Sequence, residues 1–178
     1  MTAYRGLLAS GIPPGRIAIA GDSAGGGLAL ATLLTLRDAG DALPAAAMLF
    51  SPWTDLAATG ATLVSNSRRD AMFYGAGASR AGLPYLGGAD PANPLASPLY
   101  AALHGLPPTL VHTGSHEILL ADSTRLVERA RAAGSAMQLR TWRVVPHVWP
   151  LFGFLPEARE SLDEAARFLI AAIGEPEA

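Results

Sequence analysis

Residues 16–30 read RIAIAGDSAGGGLAL, and this stretch decides how the rest of the chain is read. The run RIAIA is short and apolar, the pattern of a buried strand. Beyond it, Ala and Leu dominate despite Gly25, Gly26 and Gly27, which is the composition of a helix, and Gly40 marks its stop. Ser23 stands between the two, flanked by Gly21 and Gly25. A Gly-x-Ser-x-Gly on a strand-to-helix turn lifts a serine hydroxyl clear of a sheet, where it can act as a nucleophile. The turn is tight, so side chains at its flanks are expected to collide, and glycine at both removes them. The backbone N–H of Ala24, at the helix start, is placed to donate to a developing oxyanion with the help of the helix dipole. Gly26 and Gly27 are expected to allow close packing of helix on strand. A glycine-rich helix start can also bind phosphate or nothing. The strand before it and the helix after it favour the nucleophile.

Outward from this turn, strands and helices alternate. TAYRGLLASG (2–11) reads as the end of a helix stopped by Gly11, and PAAAMLFS (44–51) as a second strand. Residues 60–105 are irregular, with one helix expected around 76–86. PTLVHTGS (108–115) is a third strand. DSTRLVERARAAG (122–134) is an amphipathic helix with Asp122 or Ser123 as its N-cap. MQLRTWRVV (137–145) is a fourth strand. The closing helix, 155–174, presents Leu162, Ala166, Leu169, Ile170 and Ile173 on one face. The alternation predicts a single α/β domain over residues 1–178, a mostly parallel sheet covered by helices on both faces. Reactive groups in such sheets gather at the carboxyl ends of the strands.

Composition narrows the function. Half of the 178 residues are hydrophobic, 16% are charged and the net charge is −2. No basic block favours nucleic acid or an anionic membrane. No apolar run approaches the roughly 20 residues of a membrane span. No signal peptide is evident at the first residues, so a cytoplasmic setting is expected. Cysteine is absent, which excludes disulfides and thiolate metal sites. No cofactor or metal is called for.

A serine nucleophile needs a base, and the base needs an acid to orient it. Of four histidines, His112 lies inside a strand and reads as a packing residue. His104 sits in a polar loop, and His116 follows the third strand beside an acid. His147 follows the last strand and precedes the last helix, at the crevice edge and in the chain order Ser, acid, His. Three acids follow strands: Asp55, Glu117 and Asp122. Asp55 has a competing explanation in a turn and Asp122 in a helix cap. Strand placement alone leaves the choice open.

With these residues in view, the sequence resembles the bacterial esterases of the hormone-sensitive lipase family of α/β-hydrolases. GDSAGGGLAL resembles the nucleophile block, and SPWTDL and YLGGADPANPLASPLY its middle blocks. GSHEILLADSTRL resembles the acid block and PHVWPLF the histidine block. The resemblance implies a Ser23–His147–Glu117 triad acting on small acyl esters through an acyl-enzyme. Amidase or arylacetamide-deacetylase-like chemistry is a close alternative.

Three departures stand out. The family's upstream His-Gly-Gly-Gly loop, first strands and cap have no counterpart here, so the chain is expected to be a C-terminal half. Arg143-Val144-Val145 replaces the usual Pro-Gly-Met before the histidine, and His116 and Ala121 replace acids. A half of this kind is expected to turn over esters weakly and to self-associate through an exposed sheet edge. A catalytically silent remnant or interaction module is the reading from another class. An in-frame His-Gly-Gly-Gly loop upstream separates the two.

Overall fold

A computed structural model of the protein describes residues 1–174. Four parallel strands form one sheet in the order β1-β2-β3-β4: β1 Ala18–Asp22, β2 Ala46–Phe50, β3 Thr109–Gly114 and β4 Met137–Trp142. β2 and β3 are buried almost throughout, which is why they read as unbroken apolar runs. The alternation of their side chains divides the core into two layers. Ala47, Leu49 and Val111 face Leu30, Leu33 and Leu34 of helix α2 (Ser23–Asp38) and Leu126, Val127 and Ala130 of α6 (Leu120–Ala132). Met48 and Leu110 face Ala165, Phe168 and Leu169 of α7 (Pro156–Ile173). The described residues also hold shorter helices, among them α1 Thr2–Ala9, α3 Thr62–Ser65, α4 Gly75–Ala81 and α5 Leu83–Leu86. No helix among the described residues is long and apolar enough to cross a membrane.

Several local expectations need correction. β1 is not a buried strand. It pairs only with β2 among the described residues, and Ala20 and Asp22 are exposed. The segment expected to hold one helix at 76–86 holds two, α4 and α5, and α3 precedes them. α7 carries two apolar stripes. The sheet takes the one with small residues, Ala158, Ser161 and Ala165, which lets the helix approach closely. Of the expected face, Leu162 (45% exposed), Ile170 (46% exposed) and Ala166 turn outward, while Leu169 packs against Met48 and Leu110 and Ile173 is half-buried.

The glycines of the first turn divide in function. A Cβ on Gly21 would overlap the Gly25 carbonyl, so Gly21 is sterically required. A Cβ on Gly25 would meet nothing nearer than Asp22 Oδ1 at 3.8 Å, so the expectation of a clash there fails. Gly26 and Gly27 admit the loop after β2 rather than a strand. A Cβ on Gly26 would lie 2.7 Å from Pro52 Cβ, and one on Gly27 would strike the Trp53 carbonyl. That close approach is locked by the Trp53 N–H, which donates to the Ser23 carbonyl at 2.8 Å.

Candidate active site

Ser23 begins α2 directly after β1, at φ 49°. A non-glycine residue in the left-handed region stores strain, and it persists only where the surroundings enforce it. Here the strand, the helix and the Trp53 hydrogen bond do so. The strain raises the side chain above the carboxyl end of the sheet. Ala24 follows in the first helical turn, where backbone N–H groups have no intrahelical partner.

His147 lies in the segment between β4 and α7, 3% exposed. Its Nε2 is 2.9 Å from Ser23 Oγ, and its Nδ1 is 2.7 Å from Glu117 Oε2. Glu117 follows β3 and is buried. Its other oxygen, Oε1, accepts from the Gly114 N–H and the Ser51 hydroxyl. Thus Ser23, His147 and Glu117, which follow β1, β4 and β3, form one hydrogen-bonded line. The departure at Arg143-Val144-Val145 does not prevent this. Val144 adopts φ 49°, a strained angle for a β-branched residue, and its N–H donates to Ser115 Oγ.

A cavity of about 390 Å³ opens beside Ser23, lined by Trp53, Met72, Phe73, Tyr74, Ile118 and Leu119. Phe73 meets the His147 ring edge-on at 5.0 Å. Asp70 holds this wall: Oδ1 accepts the Met72 and Phe73 N–H groups and Oδ2 the Ile118 N–H. Asn66 donates from Nδ2 to the carbonyls of Ser115 and Glu117. The segment 66–74 is therefore strapped to the loop that carries Glu117. Sequence reasoning assigned nothing to Ser51, Asn66, Asp70 or Phe73. Ser51 directly follows β2, so the strand-end rule was a signal that could have found it. The other three sit in an irregular segment with no periodicity to mark them.

The chain matches the family model described as alpha/beta hydrolase fold over residues 1–151, most of its length. The chain belongs to the α/β-hydrolase fold family. An acetyl-hydrolase of Streptomyces hygroscopicus is 46% identical over 176 residues, covering 98% of this chain and 59% of that protein. An esterase of Acinetobacter venetianus is 39% identical over 168 residues, covering 93% of this chain and 55% of that one. Among solved structures, an esterase described as from the bacterial hormone-sensitive lipase family superposes with a TM-score of 0.95 at 47% identity, covering 97% of this chain and 58% of that one. EstE5, described as soaked by p-nitrophenyl butyrate, gives 0.92 at 41% identity, with 96% and 58% covered. The chain thus spans less than two thirds of the length of these hydrolases.

The two other acids of this α/β-hydrolase do not touch His147 through any hydrogen bond and are engaged elsewhere. Asp122 is not a helix cap. α6 begins earlier, at Leu120, and Asp122 Oδ2 accepts the N–H groups of Thr54 and Asp55, each at 2.9 Å. Asp55 does sit in a turn, accepting the Ala57 and Thr59 N–H groups, but it also accepts from Tyr100 and pairs with Arg125 at 3.0 Å. Burial raises the Asp55 carboxyl, and the hydrogen bonds from Thr59, Tyr100 and Arg125 outweigh it, holding the group below its ordinary value. His112 is pushed down to about 4 by burial and by the Arg140 charge, so it packs as a neutral ring, bonded through Nδ1 to Ser161.

Burial pushes the Asp122 carboxyl up to about 7, reinforced by the Asp55 charge and opposed by its two N–H donors and Arg125. The native state therefore binds this proton more tightly than the unfolded chain. Its contribution to stability is full below the ordinary value of 3.8 and is lost as pH rises through about 7. Asp122→Asn keeps an acceptor for both N–H groups and removes the buried charge. Urea denaturation at pH 5 and pH 8 is expected to show a smaller loss of stability with rising pH in Asp122→Asn than in the parent. An unchanged pH dependence would mean that Asp122 stays ionised throughout.

Proposed function

We propose that this α/β-hydrolase is a serine carboxylic-ester hydrolase, with Ser23 as nucleophile, His147 as general base and Glu117 as the acid that orients it. The observation that carries the proposal is the unbroken hydrogen-bonded line from Glu117 Oε2 through His147 to Ser23 Oγ. His147 Nε2 takes the hydroxyl proton as Ser23 Oγ attacks the ester carbonyl carbon. The Ala24 N–H and the N-terminal end of α2 stabilise the oxyanion. Protonated His147 then gives its proton to the departing alcohol, leaving an acyl-serine. Water, deprotonated by His147, attacks the acyl carbon and releases the acid. Glu117 keeps the Nδ1 proton in place.

The cavity supports a substrate class. Its lining is apolar, and about 390 Å³ suits a small or medium acyl ester. The names of the relatives, acetyl-hydrolase and esterase, agree. Hydrolysis of a p-nitrophenyl ester series from acetate to palmitate tests this. The expected profile peaks at short or medium chains and falls steeply once the chain outgrows the cavity. A peak at palmitate would overturn the substrate assignment.

A further inference from the structure

Ser51 takes no part in the bond-making steps above, yet three features set it apart. It is completely buried, it adopts φ 47° directly after β2, and its hydroxyl bridges two sides of the site. Oγ donates to Glu117 Oε1 at 2.8 Å and accepts the N–H of Val148 at 3.2 Å. Val148, also in the left-handed region at φ 49°, directly follows His147. One hydroxyl therefore ties the acid to the backbone that carries the base. The strained angle at Ser51 is what this bridge requires. Its N–H stays on the His112 carbonyl in the line of the sheet, while its side chain turns into the site.

We propose that Ser51 is the positioning residue of the acid–base pair. Its hydroxyl, with the Gly114 N–H, occupies Glu117 Oε1, so that Oε2 alone is presented to His147 Nδ1. The same hydroxyl fixes the start of the segment after His147. The inference rests on the proposed Ser23–His147–Glu117 triad. It adds that the alignment of that triad depends on a group that touches neither substrate nor proton in flight.

A backbone role alone and a hydroxyl role predict opposite results at this position. Ser51→Gly adopts φ 47° without strain, so it folds at least as well as the parent if only the turn matters. Ser51→Ala keeps the strain and loses the hydroxyl. If the hydroxyl aligns the pair, both variants lose kcat about ten- to a hundredfold, as expected for a hydrogen bond to a charged group, with KM little changed. The acidic limb of kcat/KM should also move up. A carboxylate relieved of one donor keeps more of its charge for the imidazolium.

A second measurement does not depend on turnover. The proton between His147 Nδ1 and Glu117 is expected to give a downfield resonance in the NMR spectrum of the resting protein, and to shift or broaden in both Ser51 variants. Ser23→Ala is the control: it is expected to lose turnover and keep the resonance. Unaltered kcat, pH profile and resonance in Ser51→Gly would overturn the role of Ser51 while leaving the triad intact. A Ser23→Ala variant with parental turnover would overturn the triad and this inference with it.

Discussion

Glu117→Gln is expected to lower ester turnover about 10⁴-fold with the fold preserved, the magnitude typical of losing a triad carboxylate to its amide. The reason is tautomeric. The carboxylate accepts at both oxygens, from Gly114 and Ser51 on one and from His147 on the other. In the amide, the oxygen stays with the Gly114 and Ser51 donors and the NH₂ group turns to His147 Nδ1. Nδ1 must then be the unprotonated nitrogen, and the ring proton sits on Nε2, facing Ser23 Oγ. A nitrogen already carrying its proton cannot accept the serine's. Asp122→Asn and Asp55→Asn, whose carboxylates bind Thr54, Thr59, Tyr100 and Arg125, are expected to leave turnover within a few-fold once corrected for folded fraction. Steady-state kinetics on p-nitrophenyl butyrate across the three variants checks this. A larger loss at Asp122 than at Glu117 would move the acid.

Ser23→Ala is expected to reduce turnover by about 10⁶-fold or to the assay floor, since no acyl-enzyme can form and the remaining groups act as a unit. Stability should respond separately. Ser23 sits at φ 49°, and alanine inherits that strain, whereas glycine does not. Ser23→Gly is therefore expected to be more stable than Ser23→Ala by about 1–2 kcal/mol, the cost of a Cβ in the left-handed region. Thermal unfolding of the two inactive variants checks it. Equal stabilities would mean that α2 relaxes out of the strained turn when the hydroxyl is removed.

Much of this architecture was legible in the sequence, for definite reasons. The strands β2 and β3 are buried on both faces, so their apolar runs and bounding prolines and glycines mark them directly. That Ser23 and His147 meet at the carboxyl end of the sheet was legible because each follows a strand in the order the fold imposes. Glu117, Asp55 and Asp122 could not be separated by position alone, since all follow strands. What separates them is which partners each carboxylate meets across 30 to 70 residues of chain, a tertiary property. The α7 face was misjudged at Leu162 and Ile170 because hydropathy favours them, while close packing on the sheet favours Ala158, Ser161 and Ala165. Asp70 and Phe73 went unassigned because a strap held by side-chain-to-backbone hydrogen bonds leaves no periodic trace.

The central claim is that Ser23 is a nucleophile activated by His147 and Glu117. The most direct measurement treats the protein with an alkyl fluorophosphonate and locates the adduct by peptide mass spectrometry. One adduct per chain is predicted, on Ser23, forming far more slowly in His147→Ala and in Glu117→Gln. Labelling at any other serine, or labelling of Ser23 at an undiminished rate without His147, would contradict the account.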